Sequence, residues 1–166
     1  VTSTTITVST LPQSMWHPDR DVVVTLSSPS GADLGVATAS GVVASDDPLV
    51  VTSTVDAVDA APGDGTCATA VGACSLRAAV QELDAQPSVR GAVEIRLADG
   101  ATYRLTLAGA GEDVAATGDL DLVAVTPSRT WTISALGAPA TIDGGGLDRV
   151  FDVHGTSLAL GHVVVT

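Results

Sequence analysis

Cys67 and Cys74, the two cysteines of the chain, are the residues whose type and spacing point most directly to a chemical role. The spacing is not Cys-x-x-Cys and no histidine lies nearby in sequence, so the pair is a poor match to a zinc site. It favours a disulfide that closes a short loop and contributes about 2.5 kcal/mol to stability. Two buried free thiols are the alternative. Because disulfides persist outside a reducing cytoplasm, the pair predicts an extracellular or cell-surface protein.

Carboxylates in the second half of the chain are the candidates for acid–base chemistry. A glycosidase needs two carboxylates that face one cleft, and the period-two spacing of Asp119 and Asp121 puts both on one face of a strand. Aspartates beside glycine, however, usually form turns, so we expect no catalytic residue and no enzymatic activity. The full set of candidates comprises Asp119, Asp121, Asp143, Asp148 and Asp152, with Arg149 nearby.

The remaining reactive side chains show no signature of a site. His154 and His162 are too far apart to bind a metal by local spacing, and no Glu or Cys completes a set. Both are expected on the surface or in turns. Ser75 and Ser157 have no base within local reach. Residues 144–146 are three glycines without a following lysine, so they do not form a phosphate-binding loop.

Composition narrows the class of protein. Hydrophobic residues make up 45% of the chain and aromatic residues 2%, so Val, Leu, Ile and Ala must fill any core, as suits strands. Seventeen glycines and eight prolines are typical of many short strands. No apolar run reaches the ~20 residues of a membrane span. The net charge of −12 argues against a nucleic-acid partner, because phosphate contacts need a basic surface.

The first 48 residues show three strand patterns, at residues 1–10, Asp21–Ser27 and Leu34–Ala44. Together with the run His17–Leu26, the turn Ser27–Ala32 and the acidic pair before Pro48, they resemble the C-terminal half of a Calx-beta domain. That family is a Greek-key β-sandwich of extracellular and adhesive proteins, and some of its members bind calcium.

The Calx-beta resemblance implies a calcium site. Asp19, Asp46 and Asp47 are its candidate ligands, although His17 and Arg20 stand where the family usually has glutamates. A turn-forming role is the alternative for the pair Asp46 and Asp47. Apart from calcium, no cofactor is expected.

Residues 74–83 carry the clearest helix pattern. Ser75 is a candidate N-cap, and the apolar positions that follow, Leu76, Ala79, Val80 and Leu83, form one stripe, which predicts a short amphipathic lid that Pro87 ends. The segment Cys74-Ser-Leu-Arg-Ala-Ala79 resembles the CSLREA domain, as do residues 111–122 and 141–153 further along. This resemblance implies the N-terminal end of a right-handed parallel β-helix. Ala78 replaces the usual glutamate, so the capping box is incomplete.

Apolar pairs then recur at intervals of roughly ten residues, as in stacked coils. They are Val93/Ile95, Tyr103/Leu105, Leu120/Leu122, Trp131/Ile133, Ile142, Val150/Phe151, Leu158/Leu160 and Val163/Val165.

The fold class predicted is therefore all-β: a Calx-beta-like partial β-sandwich at residues 1–48, followed at residues 49–166 by the helix-capped start of a parallel β-helix. The function predicted is that of a non-enzymatic extracellular structural or adhesive protein. It could be a subunit of a surface filament that assembles by strand complementation. Its partners would be other copies of itself or the rest of a longer chain, through exposed strand edges at both ends. The alternative is a fragment of a carbohydrate-binding or polysaccharide-degrading β-helix protein.

Overall fold

The computed structural model describes residues 5–9, 16–86, 92–123 and 129–166. Within these residues most of the regular structure is β-strand, and one short α-helix interrupts the strand order. The elements are β1 (Arg20–Thr25), β2 (Thr38–Val43), β3 (Leu49–Val50), α1 (Leu76–Asp84), β4 (Ala92–Arg96), β5 (Thr102–Arg104), β6 (Leu120–Val123), β7 (Thr130–Ser134), β8 (Ala140–Asp143), β9 (Phe151–His154), β10 (Ser157–Gly161) and β11 (Val163–Val165).

Three parallel sheets organise the described residues from β3 onward. The first has the strand order β10-β7-β4-β3, the second β11-β8-β5, and the third joins β6 to β9. From β4 on, the chain visits the three sheets in a constant order, so each strand pairs with the strand three places later. A largely β fold with parallel sheets is thus confirmed, and the recurring apolar pairs mark its strands.

The core lies between these sheets. In parallel strands, residues in register share a face of the sheet, so apolar side chains stack in ladders such as Leu49, Ile95 and Ile133. Each of these three side chains is buried, as is Trp131, which is the partner of Val93. Aliphatic side chains therefore fill most of the core, as the low aromatic content predicts.

Helix α1 begins where the sequence predicts. Ser75 is its N-cap, and its hydroxyl oxygen accepts a hydrogen bond from the Ala78 amide at 3.0 Å. The prediction of an amphipathic lid is wrong in one respect. The whole helix from Leu76 to Leu83 is buried, including its polar residues. Hydrogen bonds join the helix to residues 56–65 and to residues 114–119. Pro87, the predicted stop, lies outside the described residues.

Buried polar groups on α1 are satisfied by backbone from distant parts of the chain. Glu82 accepts hydrogen bonds from the amides of Gly63 and Gly65 at 2.6 and 2.7 Å. At the same, C-terminal end of the helix, Arg129 donates to the carbonyls of Leu83 and Gln86 at 2.8 and 2.7 Å. A cation at the C-terminus of a helix also interacts favourably with the helix dipole.

Arg77 makes the most extensive of these contacts. Its guanidinium is fully buried and forms an ion pair with Asp56, with 2.7 Å between Nε and Oδ1. It also donates to the carbonyls of Ala115, Gly118 and Asp119 at 2.8–3.1 Å. Arg77 thus joins the helix to the segments on both of its sides.

Asp56 is held ionised by its partners. Burial opposes its charge, but hydrogen bonds from Arg77 and from the amides of Thr106 and Leu107 outweigh that effect and keep the pKa of Asp56 below its ordinary value. The carboxylate therefore connects a third segment, residues 105–107, to the same point.

Cys67 and Cys74 form the predicted disulfide. Cys74 is buried immediately before the helix, and its carbonyl accepts hydrogen bonds from the amides of Thr52 and Ser53 at 2.9 and 3.0 Å. These hydrogen bonds hold the residues that follow β3 against the start of α1, and the disulfide ties Cys67 to the same point. Among the described residues no helix is long and apolar enough to cross a membrane.

Preceding the parallel sheets is a two-stranded antiparallel ribbon, β1–β2. Two of the three strands predicted for the Calx-beta-like portion are present. The first is not confirmed: residues 5–9 are not in a strand, and the rest of residues 1–10 lies outside the described residues. The ribbon is exposed, with Val23 at 60% and Val42 at 50% of full accessibility.

Replacing Arg77 tests how far the fold depends on its ion pair. Arg77→Gln leaves the Asp56 carboxylate buried without its charged partner, so we expect a loss of roughly 3–5 kcal/mol in unfolding free energy. The matched control is Arg104→Gln, since Arg104 is exposed and lies 3.6 Å from Asp143. That pair should contribute under about 1 kcal/mol. Urea denaturation of both variants at pH 7 measures the difference, and equal losses would contradict this account.

Candidate functional site

A cluster of carboxylates lies on the sheet formed by β6 and β9. Asp121 and Asp152 are register partners in these strands, and Asp119 immediately precedes β6. One carboxylate oxygen of each residue lies within 4.8 Å of the others. Asp119 and Asp121 are almost fully buried, at 2% and 1% exposed. The period-two spacing of Asp119 and Asp121 predicts their shared face, but the sequence alone does not predict that Asp152 joins them.

The loop 112–118 covers this face. Glu112 accepts hydrogen bonds from the amides of Val114 and Thr117, which folds the loop back on itself. Ala115 adopts a left-handed conformation with φ of 51°, unusual for a residue with a Cβ. In this conformation its amide donates to Oδ2 of Asp121 at 2.8 Å, while its carbonyl accepts from Arg77. Asp121 is therefore buried by a loop that the helix holds in place.

Basic groups reach the cluster from β9 and the turn before it. Nε of Arg149 lies 2.7 Å from Oδ2 of Asp119, and its Nη1 lies 2.9 Å from Oδ2 of Asp152. Nε2 of His154 lies 3.1 Å from Oδ1 of Asp152. The carboxylate of Asp152 thus lies between the guanidinium of Arg149 and the imidazole of His154. All three residues belong to one short stretch of the chain.

Asp121 is the member of the cluster whose negative charge is least compensated by neighbouring groups. Burial raises its pKa, and repulsion from Asp119, Glu112 and Asp113 raises it further, although the Ala115 amide acts in the opposite direction. Its Oδ1 is buried and has no hydrogen-bond partner among the described residues. A lone buried carboxylate oxygen is costly unless a proton or a cation satisfies it.

A second group of close metal-ligand side chains also contains Asp121. Asp113, Asp121 and His154 each place one ligand-type atom within 4.8 Å of the others. His154 is exposed, as the sequence predicts, and the register of β9 on β6 places it beside two aspartates that are distant in sequence. His162 matches expectation, since its Nδ1 lies 3.0 Å from the Gly137 carbonyl in a turn.

Asp143 and Asp148 belong to neither group and serve local roles. Oδ1 of Asp143 accepts from the Gly145 amide at 2.8 Å, and Asp148 accepts from the Arg149 amide. The Gly145 turn requires glycine, because its φ is 66° and a Cβ there would lie 2.5 Å from the Leu105 carbonyl oxygen.

The residues predicted to bind calcium lie near the ribbon, away from this cluster in the chain. Oδ1 of Asp19 accepts a hydrogen bond from the Ser45 amide at 3.0 Å. Asp46 and Asp47 line a cleft of about 400 Å³ with Trp16 and Glu94. Within the described ranges, the groups of three close metal-binding side chains do not include any of these three aspartates. Calcium binding at this place stays a prediction.

A separate cleft of about 400 Å³ lies at the end of α1 and contains Asp84. Burial raises the pKa of Asp84 to about 7, even though its Oδ1 accepts from the Val123 amide at 3.0 Å and Arg129 favours its charge. An acid at the C-terminus of a helix is also opposed by the helix dipole. Asp84 is thus a partly buried carboxyl whose charged form is disfavoured by burial.

No family model, curated protein or solved structure matches this chain.

Asp84 should make stability depend on pH. Because its pKa is higher in the folded state than the ordinary 3.8, the contribution of Asp84 to stability is greatest below about pH 4, falls as pH rises towards 7, and is then constant. The loss from this group is on the order of 4 kcal/mol. Asp84→Asn should therefore raise the free energy of unfolding more at pH 8 than at pH 4. Thermal unfolding at both values measures this, with exposed Asp33→Asn as the control, and a pH-independent effect of Asp84→Asn would contradict the assignment.

Proposed function

We propose that this chain is a non-enzymatic structural β-protein of the cell exterior, whose parallel sheets form the start of a CSLREA-type parallel β-helix. The sheet order supports the β-helix, because a chain that visits three parallel sheets in constant rotation winds as a coil. The disulfide fits an extracellular location. In this proposal another strand binds to the edge formed by β9, β10 and β11, which we call the open edge.

The observation that carries the proposal is the change in burial along each ladder of the core. Ile133 is fully buried, but Leu160, its partner in β10, is 43% exposed. In the second sheet Ile142 is fully buried and its partner Val165 is 40% exposed. In the third, Leu122 is fully buried and its partner Val153 is 38% exposed. All three sheets therefore expose core side chains on the coil formed by β9, β10 and β11, which the next coil of a longer chain or a strand of a second copy would cover.

An edge of this kind accepts added strands. Edge strands carry unpaired backbone groups, and long or apolar edges promote pairing with another chain unless they are blocked. β10 and β11 contain no Pro, Lys or charged side chain that would block pairing. An added strand would supply backbone hydrogen bonds and cover Leu160 and Val165.

The ribbon β1–β2 is the segment of a second copy that we propose as the partner. A two-stranded ribbon is marginally stable by itself, and this one exposes apolar side chains, among them Val23, Leu26 and Val42. Ribbon and open edge are different surfaces, so the contact is heterologous. A heterologous contact that does not close generates a filament. The proposal is accordingly a filament subunit.

The carbohydrate-active alternative has less support. It predicts Asp and Arg side chains that converge on one exposed face, but Asp119 is buried beneath its ion pair with Arg149, while Asp143 holds a turn.

Placing a charge on the open edge tests the proposal. The wild-type chain should sediment as concentration-dependent oligomers and appear as filaments in negative-stain electron microscopy. Leu160→Asp should give a monomer, because an aspartate buried under an added strand is costly. The matched control is Val36→Asp, since Val36 is 80% exposed and lies outside the strands. A wild-type chain that stays a monomer, or stops at a closed dimer, at about 100 µM would overturn the filament, and so would assembly unaffected by Leu160→Asp.

A further inference from the structure

We infer that Asp113, Asp121 and His154 form a binding site for a divalent transition-metal cation. The inference is separate from filament assembly: although His154 belongs to the open-edge strand β9, Asp121 and His154 lie on the face of the β6–β9 sheet opposite Leu122 and Val153. The three residues come from the loop 112–118, from β6 and from β9. Each places a ligand-type atom within 4.8 Å of the other two.

The charge balance of this region favours a cation. Asp113, Asp119, Asp121 and Asp152 gather four carboxylates. Arg149 forms ion pairs with Asp119 and Asp152, but no ion pair to Asp113 or Asp121 occurs within the described residues. The two carboxylates that lack a basic partner are the two that lie with His154.

The buried oxygen of Asp121 points independently to a ligand. Asp121 is 1% exposed, and its Oδ2 is used by the Ala115 amide. Its Oδ1 is buried and finds no hydrogen-bond donor in the described part of the chain. Asp121 belongs to both groups of close ligand atoms, and in this inference the cation is the partner that its Oδ1 lacks among the described residues. Exposed acidic clusters do not share that feature.

The mixture of donors selects the class of metal. Calcium and magnesium prefer oxygen ligands alone, whereas zinc and neighbouring divalent transition metals accept imidazole nitrogen together with carboxylate oxygen. Asp152, 3.1 Å from Nε2 of His154, is a carboxylate of the kind that orients ligand histidines in metal sites. Three protein ligands would leave further coordination positions to water.

The test is calorimetric titration of the tag-free, metal-free chain with zinc chloride. The wild-type protein should bind one zinc ion, and His154→Gln and Asp113→Asn should each weaken binding at least tenfold. His17→Gln and Asp33→Asn are the matched controls and should bind as the wild type does. Asp113 is exposed and His154 half exposed, so both test variants should keep the wild-type circular dichroism spectrum.

Several outcomes would overturn the inference. The wild-type chain could fail to bind zinc at millimolar concentration, or the test variants could bind it as tightly as the controls. A parallel titration with calcium chloride separates the two groups of ligands. Calcium binding that exceeds zinc binding and is unaffected by His154→Gln would assign the cation to the oxygen-only group of Asp119, Asp121 and Asp152 instead.

Discussion

The buried ion pair of Arg77 with Asp56 is the interaction on which the rest of the molecule depends. Three stretches of chain, each without regular structure of its own, meet at these two side chains: the segment after β3, the segment after β5 and the loop before β6. Burying two charges is favourable only when every donor and acceptor finds a partner. Here carbonyls and amides from all three stretches supply those partners, so the pair fixes the position of each stretch relative to the helix.

The same network shapes the acidic site. Arg77 holds the carbonyls of Ala115, Gly118 and Asp119, and these residues enclose Asp121. The left-handed backbone at Ala115 directs its carbonyl to the helix and its amide to the site. An arginine that looks like a surface residue of an amphipathic helix therefore determines how deeply a carboxylate on another element is buried. The site and the helix α1 are parts of one hydrogen-bonded structure.

Local patterns in the sequence predict much of this fold. The apolar pairs mark the strands from β4 to β11, Ser75 marks the start of the helix, and the cysteine spacing marks the disulfide. These features depend on neighbouring residues. The burial of Arg77 and Glu82 and the meeting of Asp113, Asp121 and His154 depend on contacts between residues far apart in the chain, which periodicity does not encode. The sequence pattern of α1 has a polar side, which suggests contact with water. In the structure these polar residues face backbone groups instead.

The way α1 is capped has a consequence for the order in which the chain folds. A helix of nine residues is too short to persist alone in water, and the groups that satisfy this one are supplied by both earlier and later segments. Arg129, which completes its C-terminus, precedes β7, in the second circuit of the sheets. The helix can therefore acquire its full set of native contacts only once Arg129 is in place after the first circuit, so we expect it to form late in a topology of high contact order.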